Sequence, residues 1–355
     1  MTEPFRKKPY RFRHPVTVLA MAILNGFAAL TGTNAAAATL INGAGSTFAQ
    51  PLYNRWFSDY RKVDTSVAIN YQGVGSSGGI RQLLAGTVDF GASDEPMSAE
   101  ENGKAKSPIH HIPTAMGAVA ISYNLPGNPA LKLTPEIAGE LFLGNIKNWN
   151  DPKIAAANPG IKLPDLAVAV TYRSDGSGTT AVMTEYLSAV SPAWKAKVGQ
   201  GKSVKWPVGV GGKGNAGVAG VIKQNPGTVG YVELVFAVSN NLPVAAIKNA
   251  SGQFVLPSVA AVTAAAKSRV KEIIAADFKL SIVNSSGKDA YPVSSMTWIL
   301  IPESMPAAKS APFMGFVKWA MGDAAQKTAE SLHYAALPAE IRKAALERTG
   351  KIKFK

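Results

Sequence analysis

Apolar positions along this 355-residue chain recur at two spacings. Leu52, Tyr53, Trp56, Phe57 and Tyr60 fall three and four residues apart, which lines one face of an α-helix. Short runs rich in Val, Ile, Thr and Tyr, bounded by Gly, Asn and Asp, read as strands. Strands are expected at 66–71, 88–92, 118–123, 166–172, 227–232 and 296–301. Further helices are expected at 80–85, 217–224, 259–266 and 312–320, the last with Pro312 in its first turn, where proline is tolerated. Alternation of strand and helix predicts an α/β fold with largely parallel sheets. Ligands of such sheets sit beyond the carboxyl ends of the strands.

Three strand-to-helix turns share one composition. They are Gly43-Ala44-Gly45-Ser46-Thr47-Phe48, Gly75-Ser76-Ser77-Gly78-Gly79 and Arg173-Ser174-Asp175-Gly176-Ser177-Gly178-Thr179. Small residues admit a ligand close to the backbone, Ser and Thr add hydroxyls, and the first helical turn supplies unpaired N–H groups at the positive end of its dipole. Converging, the three turns would cradle a small anion without a shell of lysines. Singly, each is read as ordinary N-capping by Ser or Thr. Two carboxylates pose a similar choice. Asp94 either caps a helix expected near Ser98 or accepts a proton from the ligand, which monohydrogen phosphate offers and sulfate does not. Arg173 and Asp175 form either a surface ion pair or a guanidinium fork that Asp175 holds against the ligand.

The first 38 residues read as an export signal: bases at Arg6, Lys7, Lys8, Arg11 and Arg13, an apolar run over 16–30, and small residues ending at Ala38. A basic membrane-anchored tail is the alternative. No cysteine occurs, so the chain has neither disulfides nor a thiol for a lipid anchor, which suits a periplasmic or secreted protein. The remaining 317 or so residues are enough for two domains. Lys and Arg number 37 against 23 Asp and Glu, a net +14, and setting aside the five bases and Glu3 of the signal leaves +10. The lysines are scattered, as at Lys132, Lys147, Lys153 and Lys162, with no dense basic run interleaved with aromatics. This argues against nucleic acid as a partner and for a solvated basic surface that mildly attracts anions.

Catalytic and metal motifs are poorly supported. Gly75 to Gly79 matches G-x-S-x-G, which would make Ser77 the nucleophile of a secreted phosphoester or serine hydrolase. The base is the weak point: after the signal only His110, His111 and His333 remain, and His333 lies in what reads as a helix-end surface. Residues 210–215 fail the P-loop template, because Pro207 stands where its first Gly belongs and Gly214 replaces Ser or Thr. They are read as a turn opening the next helix. Adjacent His110 and His111 point to opposite faces of a strand, so no metal site is expected. No cofactor is expected either.

Taken together, the three turns, Tyr71-Gln72-Gly73-Val74 before the second, Val88-Asp89-Phe90-Gly91-Ala92-Ser93-Asp94 and the segment Lys205 to Asn215 resemble the periplasmic phosphate-binding proteins of bacterial phosphate ABC importers. The resemblance covers nearly the whole chain after the signal. It implies a type 2-like periplasmic binding protein fold: two lobes, 39–112 plus 291–355 and 113–290, joined by a hinge of two crossover segments near 113–118 and 292–296. It implies that Thr47 and Phe48 offer hydroxyl and N–H, that Ser76 donates, and that Asp94 accepts the phosphate proton. Arg173 would bind the ligand, oriented by Asp175, and Ser177, Gly178 and Thr179 would complete the cradle. Inorganic phosphate and an inner-membrane ABC permease would be the partners of a monomeric, non-catalytic carrier. The segment Ala49-Gln50-Pro51 departs from the family, which often has proline directly after the phenylalanine; this touches helix entry and no ligand donor.

Overall fold

The computed structural model describes residues 38–354. The expected export signal therefore lies, apart from Ala38, outside the described residues. Eleven strands occur among those described: β1 (Thr39–Gly45), β2 (Val67–Gly73), β3 (Phe90–Ser93), β4 (Ile109–Tyr123), β5 (Lys132–Leu133), β6 (Ala169–Arg173), β7 (Val210–Gly212), β8 (Thr228–Glu233), β9 (Ala246–Lys248), β10 (Phe254–Val255) and β11 (Ser294–Pro302). Eight form one sheet in the order β2-β1-β3-β11-β4-β8-β6-β7, and β10-β9-β5 form a small second sheet.

The large sheet is mixed, which corrects the expectation of largely parallel pairing. β1, β2 and β3 form one parallel triplet, and β6, β7 and β8 another. Between them lie two long strands. β11 is antiparallel to β3 and β4, and β4 is antiparallel to β8. β4 pairs with β11 over its first part and with β8 over its last, Val119 to Tyr123. It therefore runs with the first triplet and against the second, so the carboxyl ends of the two triplets face one another. The register of β4 and β11 slips between Thr297 and Trp298, leaving Thr114 unpaired beside Pro113. A bulge is where proline can sit inside a sheet, since its missing N–H costs no ladder bond there.

Packing follows the apolar periodicity. Helix Gln50–Val63 buries Leu52, Tyr53, Trp56, Phe57 and Tyr60, the predicted face. Phe57 packs on Phe90 and Phe316, and Phe90 stacks on Phe313 with ring centroids 4.5 Å apart. Under the second triplet, Trp206 is stacked between Tyr172 and Tyr231, at 5.1 and 5.6 Å. One helix start differs from expectation. The helix expected at 312–320 spans Ala307–Ala320, with Pro306 as N-cap, so Pro312 is interior and not in the first turn. The ring removes the N–H that would bond to the Ala308 carbonyl, and Ala308 is exposed, so water can take that carbonyl instead.

Candidate functional site

Three helix starts meet where the two triplets face each other. β1, β2 and β6 lead into helices Gln50–Val63, Ser76–Ala85 and Gly178–Val190. The first two have N-cap residues, Ala49 and Gly75, that give no side-chain cap. Ser177 does cap the third, its hydroxyl accepting from Thr180 N at 3.1 Å. Ordinary capping thus accounts for one turn of the three. The N–H groups of Thr47, Phe48, Ser76 and Thr179 have no partner among the described residues. Direct bonds draw the turns together: Gly178 N donates to Ser76 Oγ at 3.0 Å, and Ser77 N to the Gly176 carbonyl at 3.1 Å. Two glycines make this approach possible. Gly75 has φ +82°, and a Cβ there would stand 2.3 Å from Asp175 Oδ2. A Cβ on Gly178 would stand 2.6 Å from both Asp94 Oδ2 and Ser76 Oγ.

Asp94 follows β3 and is 2 % exposed. It does not cap the following helix; Ser98 does, with Glu101 completing a capping box. Asp94 Oδ1 instead accepts from Ser46 Oγ at 2.5 Å and Thr297 Oγ1 at 2.8 Å. Oδ2 has one long contact, 3.3 Å from Ser76 Oγ. One carboxylate oxygen is therefore occupied and the other largely open. Burial pushes the Asp94 carboxyl up to about 6, against the pull of the Ser46 and Thr297 hydroxyls and the Arg173 charge.

Arg173 ends β6 and is 4 % exposed. Asp175 grips it as a fork, with Nε to Oδ1 at 2.8 Å and Nη2 to Oδ2 at 2.5 Å. Arg173 Nη1 donates to Thr179 Oγ1 at 3.2 Å, and its backbone N–H to Tyr231 Oη at 3.1 Å. Burial works to raise Asp175, but the Arg173 bonds and charge and the Gly214 N–H outweigh it and hold that carboxyl below the usual range. This is a buried, oriented guanidinium, and the surface ion-pair alternative does not describe it. The structure thus brings Thr47, Phe48, Ser76, Asp94, Arg173, Asp175, Ser177, Gly178 and Thr179 into one cluster. Phe48 contributes through its backbone; its ring packs edge-on against Tyr334, whose hydroxyl donates to the Phe48 carbonyl at 2.6 Å.

Among the described residues no histidine is hydrogen-bonded to Ser77. His110 pairs with Glu303, His111 Nε2 accepts from Met97 N, and His333 is exposed at the end of helix Asp323–Ser331. Among the described residues no group of three His, Cys, Asp or Glu side chains is placed to hold a metal, and no helix is long and apolar enough to cross a membrane.

A family model described as the PBP superfamily domain matches residues 32–324. A relative from Xylella fastidiosa strain Temecula1, named phosphate-binding protein PstS, is 45% identical over 308 residues, covering 85% of this chain and 83% of its own. Another of that name, from Pasteurella multocida, is 43% identical over 327 residues, 91% of this chain and 92% of its own. The chain belongs to this family of phosphate-binding proteins. In fold, it is also similar to the solved phosphate-binding protein from Stenotrophomonas maltophilia, with a TM-score of 0.66 at 17% identity over 87% of this chain and 93% of that one.

Four cluster residues escaped the reading of the sequence. Ser46 and Thr297 bond Asp94, Tyr231 holds the Arg173 backbone, and Asn215 touches both Thr47 and Thr179. Ser46 stands inside a turn already singled out, so its signal was present. Asn215 lies in a fourth strand-to-helix turn, where helix Gly214–Gln224 begins three residues before the expected 217. Thr297 and Tyr231 sit in strands whose side chains alternate between faces, and nothing local marks them. The family's departure at Ala49 is harmless here: Pro51 still falls in the first helical turn, and Ala49 N bonds to Ser46 Oγ at 3.1 Å.

Proposed function

We propose that this protein captures inorganic phosphate, as the mono- and dihydrogen ions, in the periplasm and delivers it to an inner-membrane ABC permease. It does so with high affinity and as a monomeric carrier, not as an enzyme. The signal would be removed on export by cleavage near Ala38. The ligand seat is formed by the Thr47, Phe48, Ser76, Ser177 and Thr179 donors, by Gly178, whose N–H is shared with Ser76 Oγ, by the Arg173 guanidinium and by the Asp94 carboxylate. Residues 39–112 plus 291–355 form one lobe and 113–290 the other. β4 and β11 supply the crossings that flex, and the bulge at Thr114 and Pro113 lies on one of them. The observation that carries the reading is the state of Asp94: a buried carboxylate with one oxygen saturated by two hydroxyls and the other held only by the long Ser76 bond, in a seat otherwise made of donors.

An acceptor in that position matches an anion that retains a proton. Near neutral pH each phosphate ion carries at least one P–OH, which Asp94 Oδ2 can accept in a charge-assisted bond. Sulfate has only bare oxygens and would meet repulsion. A site built to pair with a ligand OH rejects the analogue lacking it by about 10⁴–10⁵-fold. Asp94→Asn replaces the acceptor with a group able to donate. It should narrow the phosphate-to-sulfate ratio, measured by competitive binding at fixed ionic strength near neutral pH. An unchanged ratio would remove Asp94 from the proposed role.

A further inference from the structure

Asn215 is fully buried in the first turn of helix Gly214–Gln224, and the oxygen and both protons of its amide are hydrogen-bonded. Oδ1 accepts from Glu233 N at 2.8 Å. That bond fixes the orientation of the amide, since turning it over would set two donors against each other. Both Nδ2 protons then point at hydroxyls of the cluster: one at Thr47 Oγ1, 3.0 Å away, the other at Thr179 Oγ1, 3.1 Å away. The backbone N–H of Asn215 also donates to Thr47 Oγ1, at 3.2 Å.

A threonine hydroxyl carries one proton and two lone pairs. At Thr47 both lone pairs are taken, by the side-chain and backbone N–H groups of Asn215. At Thr179 both are taken as well, one by Asn215 Nδ2 and the other by Arg173 Nη1. Neither hydroxyl proton has an acceptor among the described residues. A hydroxyl in that state can only donate. From this geometry we infer that Asn215 is a positioning residue, converting two hydroxyls that could serve as donor or acceptor into obligate donors aimed at the ligand. This rests on the phosphate reading above and deepens it. With Thr47 and Thr179 unable to accept, a P–OH has no acceptor at either threonine and is directed to Asp94. Asn215 therefore serves selectivity without touching the anion. It also joins a residue that follows β1 to one that follows β6, so both hydroxyls are set only when those segments are together.

The test is a thermodynamic cycle read by calorimetry with inorganic phosphate. Asn215→Ala is compared with the wild type, then introduced again into a chain carrying Thr47→Val and Thr179→Val, which lacks both hydroxyls. In the wild-type background Asn215→Ala should weaken phosphate binding by about 10- to 100-fold, the range for coupled neighbours in one hydrogen-bond network. In the valine background it should weaken it by less than about threefold, because nothing remains to orient. Equal factors in both backgrounds would mean a structural role and would overturn the inference alone. Should Asn215→Ala fail to fold, Asn215→Asp keeps an acceptor for Glu233 N and removes both side-chain donors. Both hydroxyls would then turn inward, and binding should fall below wild type by at least about 100-fold. Wild-type affinity in that variant would equally overturn the inference. Wild-type protein that fails to bind phosphate at all would overturn the functional reading together with it.

Discussion

Burial raises the Asp94 carboxyl to about 6, against 3.8 for an exposed aspartate, although Ser46, Thr297, Arg173 and Ser76 all pull it down. The folded state thus binds this proton more tightly than the unfolded chain. The associated stability is fully present below pH 3.8 and is lost as pH rises through about 6. A shift of that size corresponds to about 3 kcal/mol. Asparagine has the same shape and no charge, and its oxygen can accept from Ser46 and Thr297. Ligand-free Asp94→Asn should therefore match the wild type near pH 4 and exceed it above pH 6, by up to about 3 kcal/mol. Urea unfolding at both pH values checks this. A variant no more stable than wild type at the higher pH would mean that ionised Asp94 is not a strained group. In the proposed role, the residue that confers selectivity is one the empty protein would be more stable without.

Elements were more legible than their assembly. The helix carrying Trp56 was marked by five apolar residues at helical spacing, and all five are buried. Expected strands at 118–123 and 296–301 are parts of β4 and β11, which are longer because a strand buried on both faces shows no alternation to mark its end. For the same reason antiparallel pairing at the centre of the sheet left no local trace, and parallel strands were overestimated. Pro312 misplaced a helix start because a first-turn proline and an interior proline beside an exposed carbonyl look alike in sequence. The site shows the same division. Residues within Gly-rich turns were found because the turn itself is a signal. Asn215, Thr297 and Tyr231 reach the cluster only through the sheet order, which sets β7 and β8 on either side of β6 and β11 beside β3, the strand that leads to Asp94.

At the scale of the whole molecule, a few hydrogen bonds and an ion pair tie the turns of one triplet to those of the other. Ser76 with Gly178, Ser77 with Gly176 and Thr47 with Asn215 hold the inner part, and Lys202 reaches Glu101 at 2.8 Å near the edge. Each such bond is worth about 1 kcal/mol net. Without an anion to satisfy the free N–H groups, that total is small enough for the proposed lobes to part. Phosphate should then compact the protein, seen as a fall in the radius of gyration by small-angle scattering. Binding confirmed by calorimetry with no change in that radius would reject the hinge.

Arg173, Asp94 and Asp175 give the seat one negative charge in excess before any ligand arrives. Coulomb attraction over distance must come from elsewhere, and the scattered bases behind the net +10 that remains without the signal can provide it. In the proposed role, gathering and sorting are thereby separated: the outer surface would draw anions of every kind, and the interior would keep one by its pattern of donors and the acceptor at Asp94. The two tasks should respond differently to ionic strength, since screening acts over about 8–10 Å in solution and little on buried groups. In stopped-flow experiments added salt should slow phosphate capture and leave its release rate almost unchanged. A release rate that climbs with salt would mean that the interior, too, holds its anion by net charge.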